Sequence, residues 1–151
     1  MKCMKNGREN FDRSEAKHTI EYLRKRGVQQ FVHFTAVENL PGILEQGLVP
    51  RQILESENRS FRYNDSYRLD GSGWVNLSIT NPNIKLFYRF AHDNKDTSYA
   101  MITLDPSMLE KYEYRFSATN AASKTACSCS IEELFLGDRP ECFEPCWTTD
   151  N

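Results

Sequence analysis

The chain has 151 residues, 39% of them hydrophobic, with nine Phe, seven Tyr and two Trp, enough to bury a core in one domain and too apolar for a disordered one. A formal net charge of -2 excludes a global pull toward nucleic acid, so any such binding must come from a local patch. No apolar run approaches the roughly 18 residues of a membrane span, and the basic start Met1-Lys-Cys-Met-Lys5 leads into no apolar stretch, so neither a membrane helix nor a secretory leader is expected and the chain reads as cytoplasmic.

Residues 1–12 read as a loose polar lead-in. From Ser14, a plausible N-cap, a helix is expected to run to Arg26 and close at Gly27, with Ala16, Ile20 and Leu23 on one face. Arg24-Lys25-Arg26 falls in its last turn, where cations suit the helix dipole better than they argue for nucleic acid. Val28–Phe34 reads as a strand, and from Phe31 it is an apolar run that carries one polar side chain, His33, and stops at Thr35. A tight turn at 35–38 then leads to a helix capped by Asn39, with Pro41 in its first turn, Ile43 and Leu44 toward the core and Gly47 at its end. A strand that ends in His-x-Thr and turns directly into a helix sets an imidazole and a hydroxyl at the rim of a sheet. That is a place to hold a ligand.

Residues 50–73 interleave Arg51, Arg59, Arg62 and Arg68 with Phe61, Tyr63 and Tyr67 and end in Asp70-Gly71-Ser72-Gly73. The expectation is a long loop, either a phosphate-contacting and stacking element or a solvated excursion whose aromatics cover the core edge. Trp74–Thr80 alternates Val75, Leu77 and Ile79 against polar neighbours, as one strand would. Asn81-Pro82 is expected to start a helix through Ile84, Phe87, Tyr88 and Ala91. Tyr99–Leu104 reads as a strand, Asp105-Pro106 as the start of a short helix, and Tyr112–Phe116 as a strand. The small, polar stretch 117–130 reads as a loop, after which Ser130 and Glu133 cap a helix carrying Ile131, Leu134 and Phe135. The order points to an α+β domain on a modest sheet.

The usual catalytic templates are missing. There is no G-x-S-x-G elbow, no G-x-x-x-x-G-K-[ST] and no G-x-G-x-x-G after a strand. His18, His33 and His92 lie in unrelated contexts, so a histidine metal site is not expected. Five cysteines without a secretion signal argue against a disulfide framework. Cys127, Cys129, Cys142 and Cys146 have C-x-C and C-x₃-C spacings, poor matches to structural zinc, so reduced thiols and no metal are expected.

His33-Phe-Thr35, followed by Asn39-Leu-Pro-Gly42-Ile-Leu-Glu-Gln-Gly47-Leu, resembles the opening motif of the DarT family, toxins that ADP-ribosylate bases in single-stranded DNA using NAD. Three later segments match in order: Tyr63-Asn-Asp-Ser-Tyr-Arg68-Leu-Asp-Gly71, Leu77-Ser-Ile-Thr-Asn-Pro-Asn-Ile-Lys-Leu-Phe-Tyr88 and Thr119-Asn-Ala-Ala-Ser123. The resemblance implies an ADP-ribosyltransferase-like α+β fold: a split β-sheet core with surrounding helices and an NAD cleft between the sheets. It divides the chain into a helical lead-in at 1–27 and the DarT-like domain at 28–151. It implies that His33, Phe34 and Thr35 hold the nicotinamide and its ribose, that Gly42 lets backbone approach the dinucleotide, and that Leu48 lines the pocket. Ser78 and Tyr88 would border the nicotinamide, with core packing an equal reading for the tyrosine. Arg68 is the implied catalytic residue; its permanent charge suits phosphate positioning better than a literal base role. Asn120 and Ser123 would meet the single-stranded DNA, and a macrodomain-type antitoxin is the implied protein partner.

In the family a glutamate follows a Thr/Asp/Asn-rich turn and stabilises the charge that develops on the ribose. Here the sequence reaches Thr148-Thr149-Asp150-Asn151, while Glu141 and Glu144 sit in a Pro/Cys context unlike that motif. Two expectations stand side by side: a DNA ADP-ribosyltransferase domain, and a truncated or degenerate NAD- and nucleic-acid-binding module of the same fold.

Overall fold

A computed structural model describes residues 2–6, 13–63, 73–117 and 128–135. The lead-in contains a strand, β1 (Lys2–Asn6), followed by helix α1 (Arg13–Lys25). The apolar positions of α1 fall on one face, and Ala16, Thr19, Ile20 and Leu23 are buried. Gly27 ends the helix at φ 79, a conformation that costs glycine little. The Gly27 amide donates to the Arg24 carbonyl and the Val28 amide to the Leu23 carbonyl, each at 3.0 Å. This is the Schellman pattern, and its customary apolar contact is supplied by Leu23 and Val28, both members of the core.

Among the described residues seven strands form two antiparallel sheets. In the three-stranded sheet, β2 (Phe31–Ala36) lies between β4 (Ser78–Ile79) and β5 (Tyr99–Leu104), in register from Phe31 opposite Leu104 to Ala36 opposite Tyr99. The four-stranded sheet runs β3 (Val75–Asn76), β1, β6 (Tyr112–Ser117), β7 (Ser128–Cys129). Between the strands in sequence lie α2 (Leu40–Gln46), α3 (Arg51–Ser56) and α4 (Ile84–Asp93), and α5 (Ile131–Phe135) follows β7. The fold is α+β, as expected. The core joins α1 to both sheets: Ile20, Leu23, Phe31, Val75, Leu77, Leu109, Phe116 and Ile131 pack in one cluster. Among the described residues no helix is long and apolar enough to cross a membrane.

Several expectations need correcting. Residues 2–6 are not loose: β1 pairs with β3 on one side and β6 on the other. Those ladders use main-chain groups, which the polar composition of the segment does not reveal. Trp74–Thr80 is not one strand. Val75–Asn76 joins β1, Ser78–Ile79 joins β2, and Leu77, 4% exposed, lies buried between the two sheets. Side-chain alternation survives such a switch, so the pattern looked continuous. Helix α3 interrupts the expected loop at 50–73. The cap of α4 is Asn83, two residues beyond Asn81; its side chain accepts from the Leu86 amide at 3.1 Å. Leu44 is 84% exposed rather than in the core. The Ser130–Glu133 capping box forms as expected, with the Ser130 amide donating to Glu133 Oε2 at 2.7 Å and the Glu133 amide to Ser130 Oγ at 3.1 Å.

Candidate ligand cleft between the two sheets

A cleft of about 810 Å³ opens where the sheets diverge, within the roughly 300–1,000 Å³ of small-molecule sites. The three-stranded sheet contributes Val32–Thr35 of β2 and Ser78 and Ile79 of β4. The four-stranded sheet contributes Val75, Asn76 and Ser117. Helix α2 adds Gly42 and Ile43, α4 adds Leu86 and Phe90, and the segment 59–63 completes the rim.

Period-two geometry separates the side chains of β2 into Phe31, His33 and Thr35 on one face and Val32, Phe34 and Ala36 on the other. On the first face His33 Nδ1 lies 3.0 Å from the Asn76 carbonyl oxygen. A carbonyl only accepts, so Nδ1 carries the proton, and in the neutral ring Nε2 is then an acceptor. This bond ties the two sheets together across the head of the cleft. On the opposite face the Phe34 ring meets Phe87 edge-on at 5.7 Å and Tyr99 at 6.3 Å, with Phe90 at 6.1 Å. Burial raises the pKa of the Tyr99 phenol, which donates to the Phe90 carbonyl. That cluster holds α4 against β2 and β5.

Thr35 is 6% exposed, and its Oγ1 accepts from Asn39 Nδ2 at 3.0 Å. Ser78 Oγ accepts from the Asn83 amide at 3.2 Å, which links β4 to the start of α4. Thr80, just after β4, has φ 64, a strained conformation for a β-branched residue. Its amide donates to the Gln30 carbonyl at 3.0 Å, and Gln30 Nε2 returns a bond to the Thr80 carbonyl at 3.3 Å. At the rim, the Arg51 guanidinium stacks 4.0 Å above the Tyr63 ring, and its Nε lies 2.6 Å from Glu55. Arg59 pairs with Glu57 and Arg62 with Glu38, so the arginines of the rim are balanced by carboxylates.

The cleft also holds polar atoms that nothing among the described residues satisfies. Asn76 Oδ1 and Ser117 Oγ are buried without a hydrogen-bond partner, and both residues line it. Buried polar groups are ordinarily paired, and an exception points to a ligand or water.

His33, Thr35, Gly42, Leu48 and Ser78, singled out from the sequence, all line this cleft. Phe34 lines it too, although its ring is engaged with α4. A Cβ built on Gly42 would meet nothing within 4 Å, so the backbone there fronts open space. Tyr88 is not brought to the cleft; it is 66% exposed on α4, its ring against Phe87. Arg68, Asn120 and Ser123 lie outside the described residues, as do Cys127, Cys142 and Cys146 and the stretch 136–151. Among the described residues no group of His, Cys, Asp and Glu is arranged to hold a metal. Sequence reasoning missed Asn76 and Ser117 and took Asn39 only for a cap. Asn39 did carry a signal, lying between Thr35 and Gly42 in the quoted motif; Asn76 carried only its place on the polar side of an alternating run.

The model of one protein family, described as DarT, ssDNA thymidine ADP-ribosyltransferase, matches residues 32–136. The match starts in β2 and ends just past α5, so it covers more than half of the chain and every cleft residue named above. No curated protein matches the chain.

Proposed function

The chain belongs to the DarT family of single-stranded-DNA thymidine ADP-ribosyltransferases, and we propose that its cleft binds NAD as the donor of ADP-ribose to a thymidine in single-stranded DNA. The observation that carries this reading is the convergence of His33, Thr35 and Ser78 with the unsatisfied Asn76 Oδ1 and Ser117 Oγ in one cleft between the sheets. NAD presents ribose hydroxyls and a carboxamide, which need both donors and acceptors. The cleft offers both: imidazole and amide oxygens accept, while hydroxyls do either. Leu48, Ile43 and Ile79 supply apolar surface beside them, as ligand sites require.

In this reading His33 and Thr35 grip the nicotinamide ribose, and Gly42 admits the dinucleotide close to the main chain. Arg68 holds a phosphate next to the reacting centre, and Asn120 and Ser123 meet the acceptor base. The Arg51–Tyr63 stack gives the rim a planar, cationic surface suited to an aromatic or phosphorylated group. Tyr88 plays no part.

Titration calorimetry with NAD, followed by incubation with labelled NAD and thymidine-containing single-stranded oligonucleotides, tests the proposal. The expected result is NAD binding that weakens by about tenfold or more in His33→Ala, which removes a hydrogen-bonding group from the cleft, together with transfer of label to DNA. Absence of NAD binding by the wild-type chain overturns the reading. NAD binding without DNA labelling would identify the binding-only module instead.

A further inference from the structure

Asn39 stands where an N-cap belongs, ahead of α2 with Pro41 in the first turn, yet its side chain makes no capping bond. Its carboxamide turns instead to the main chain of Arg62. Oδ1 accepts from the Arg62 amide at 2.8 Å, and Nδ2 donates to the Arg62 carbonyl at 2.7 Å. The direction of the amide is unambiguous, because an N–H can only donate and a carbonyl can only accept. One side chain thus imitates the neighbouring strand of a ladder. Nδ2 also donates to Thr35 Oγ1 at 3.0 Å. That bond uses one acceptor position of a hydroxyl buried away from water and leaves its hydrogen to be donated.

The same three bonds join the end of β2 to the segment 59–63, which brings Phe61, Arg62 and Tyr63 to the cleft. Among the described residues these regions are also tied by the Arg62–Glu38 ion pair at 3.2 Å, with side chains 39% and 61% exposed. Ion pairs so open to water contribute little. The amide clamp adds two bonds to the main chain itself, and its third reaches the buried Thr35 hydroxyl.

We infer that Asn39 is a positioning residue for the dinucleotide: it orients the Thr35 hydroxyl and holds the segment 59–63 as the outer wall of the cleft. The inference rests on reading the cleft as an NAD site. Without the clamp, bound NAD would have to order that wall itself, and the lost conformational entropy would appear as weaker binding.

The test uses the full chain with three variants, each read by NAD calorimetry and by amide hydrogen exchange. Asn39→Ala removes all three bonds. Arg62→Pro removes the amide that Asn39 accepts from, and Arg62→Ala, which keeps it, is its reference. The expected result for Asn39→Ala is NAD binding weakened about tenfold and faster exchange at Arg62, with melting temperature and protection of the Val28 amide unchanged. Arg62→Pro should bind NAD several-fold more weakly than Arg62→Ala. Wild-type affinity in Asn39→Ala, or equal affinity in the two Arg62 variants, overturns the inference while the NAD reading stands. Loss of Val28 protection in Asn39→Ala also overturns it, since the role would then be structural. No NAD binding by the wild type overturns both.

Discussion

The end of α1 and the rim of the cleft treat their polar groups in opposite ways. At Arg24–Val28 the terminal carbonyls of the helix are met by amides a few residues along the chain, and the apolar residues beside them close the core. At the cleft, Asn39 leaves its own helix uncapped to reach Arg62, and Asn76 and Ser117 bury oxygens that no described residue satisfies, while Thr80, next in the chain to the lining residue Ile79, sits at positive φ. The first region is complete by itself. The second leaves groups unmet among the described residues, and the proposed NAD site is what would use them.

The largest expected effect falls on the complete region. Leu23→Ala should cost about 2–5 kcal/mol of stability in urea unfolding, because the side chain is fully buried and caps the helix end. If core and rim are independent, the folded fraction of this variant binds NAD with wild-type affinity. Thr80→Gly should do the reverse and stabilise, by about 1 kcal/mol, since an exposed residue loses its strain and no packing. A melting temperature that does not rise would show that the turn holds no strain.

Gly42→Ala separates stability from binding. Alanine suits the helix better by up to about 1 kcal/mol, and no protein atom stands in its way. Its methyl would occupy space that a bound dinucleotide uses, so the chain should melt later and bind NAD more weakly. The smallest effect belongs to Asp105, whose side chain caps the 3-10 turn at Pro106–Glu110. Hydrogen bonds from the Ser107 side chain and amide hold its carboxyl below the ordinary value. A depressed folded pKa stabilises at pH above the unfolded value and is lost as pH falls through the folded one. Stability should therefore decline below about pH 4, and Asp105→Asn should flatten part of that decline in acid titrations followed by circular dichroism.

Elements whose determinants are local were legible. Gly27 at the end of α1, the Ser130–Glu133 box and the apolar run of β2 each lie within a few residues of what they specify. The same holds for His33 and Thr35, because alternation along a strand sets their common face wherever the strand packs. Asn39 shows the limit. Its cap position is a local fact, whereas its hydrogen bonds run to a peptide 23 residues away, which no short-range pattern encodes.

By itself the sequence determined the α+β class, the helix faces and stops, and the polar pair at the end of β2, since periodicity, capping and glycine conformation act over one or two turns of chain. Only the tertiary structure decided that β1 belongs to a sheet, that the chain changes sheets at Leu77, and that His33 bonds across to Asn76. Those outcomes depend on which backbone meets which across long stretches of sequence, and backbone groups are alike in every residue.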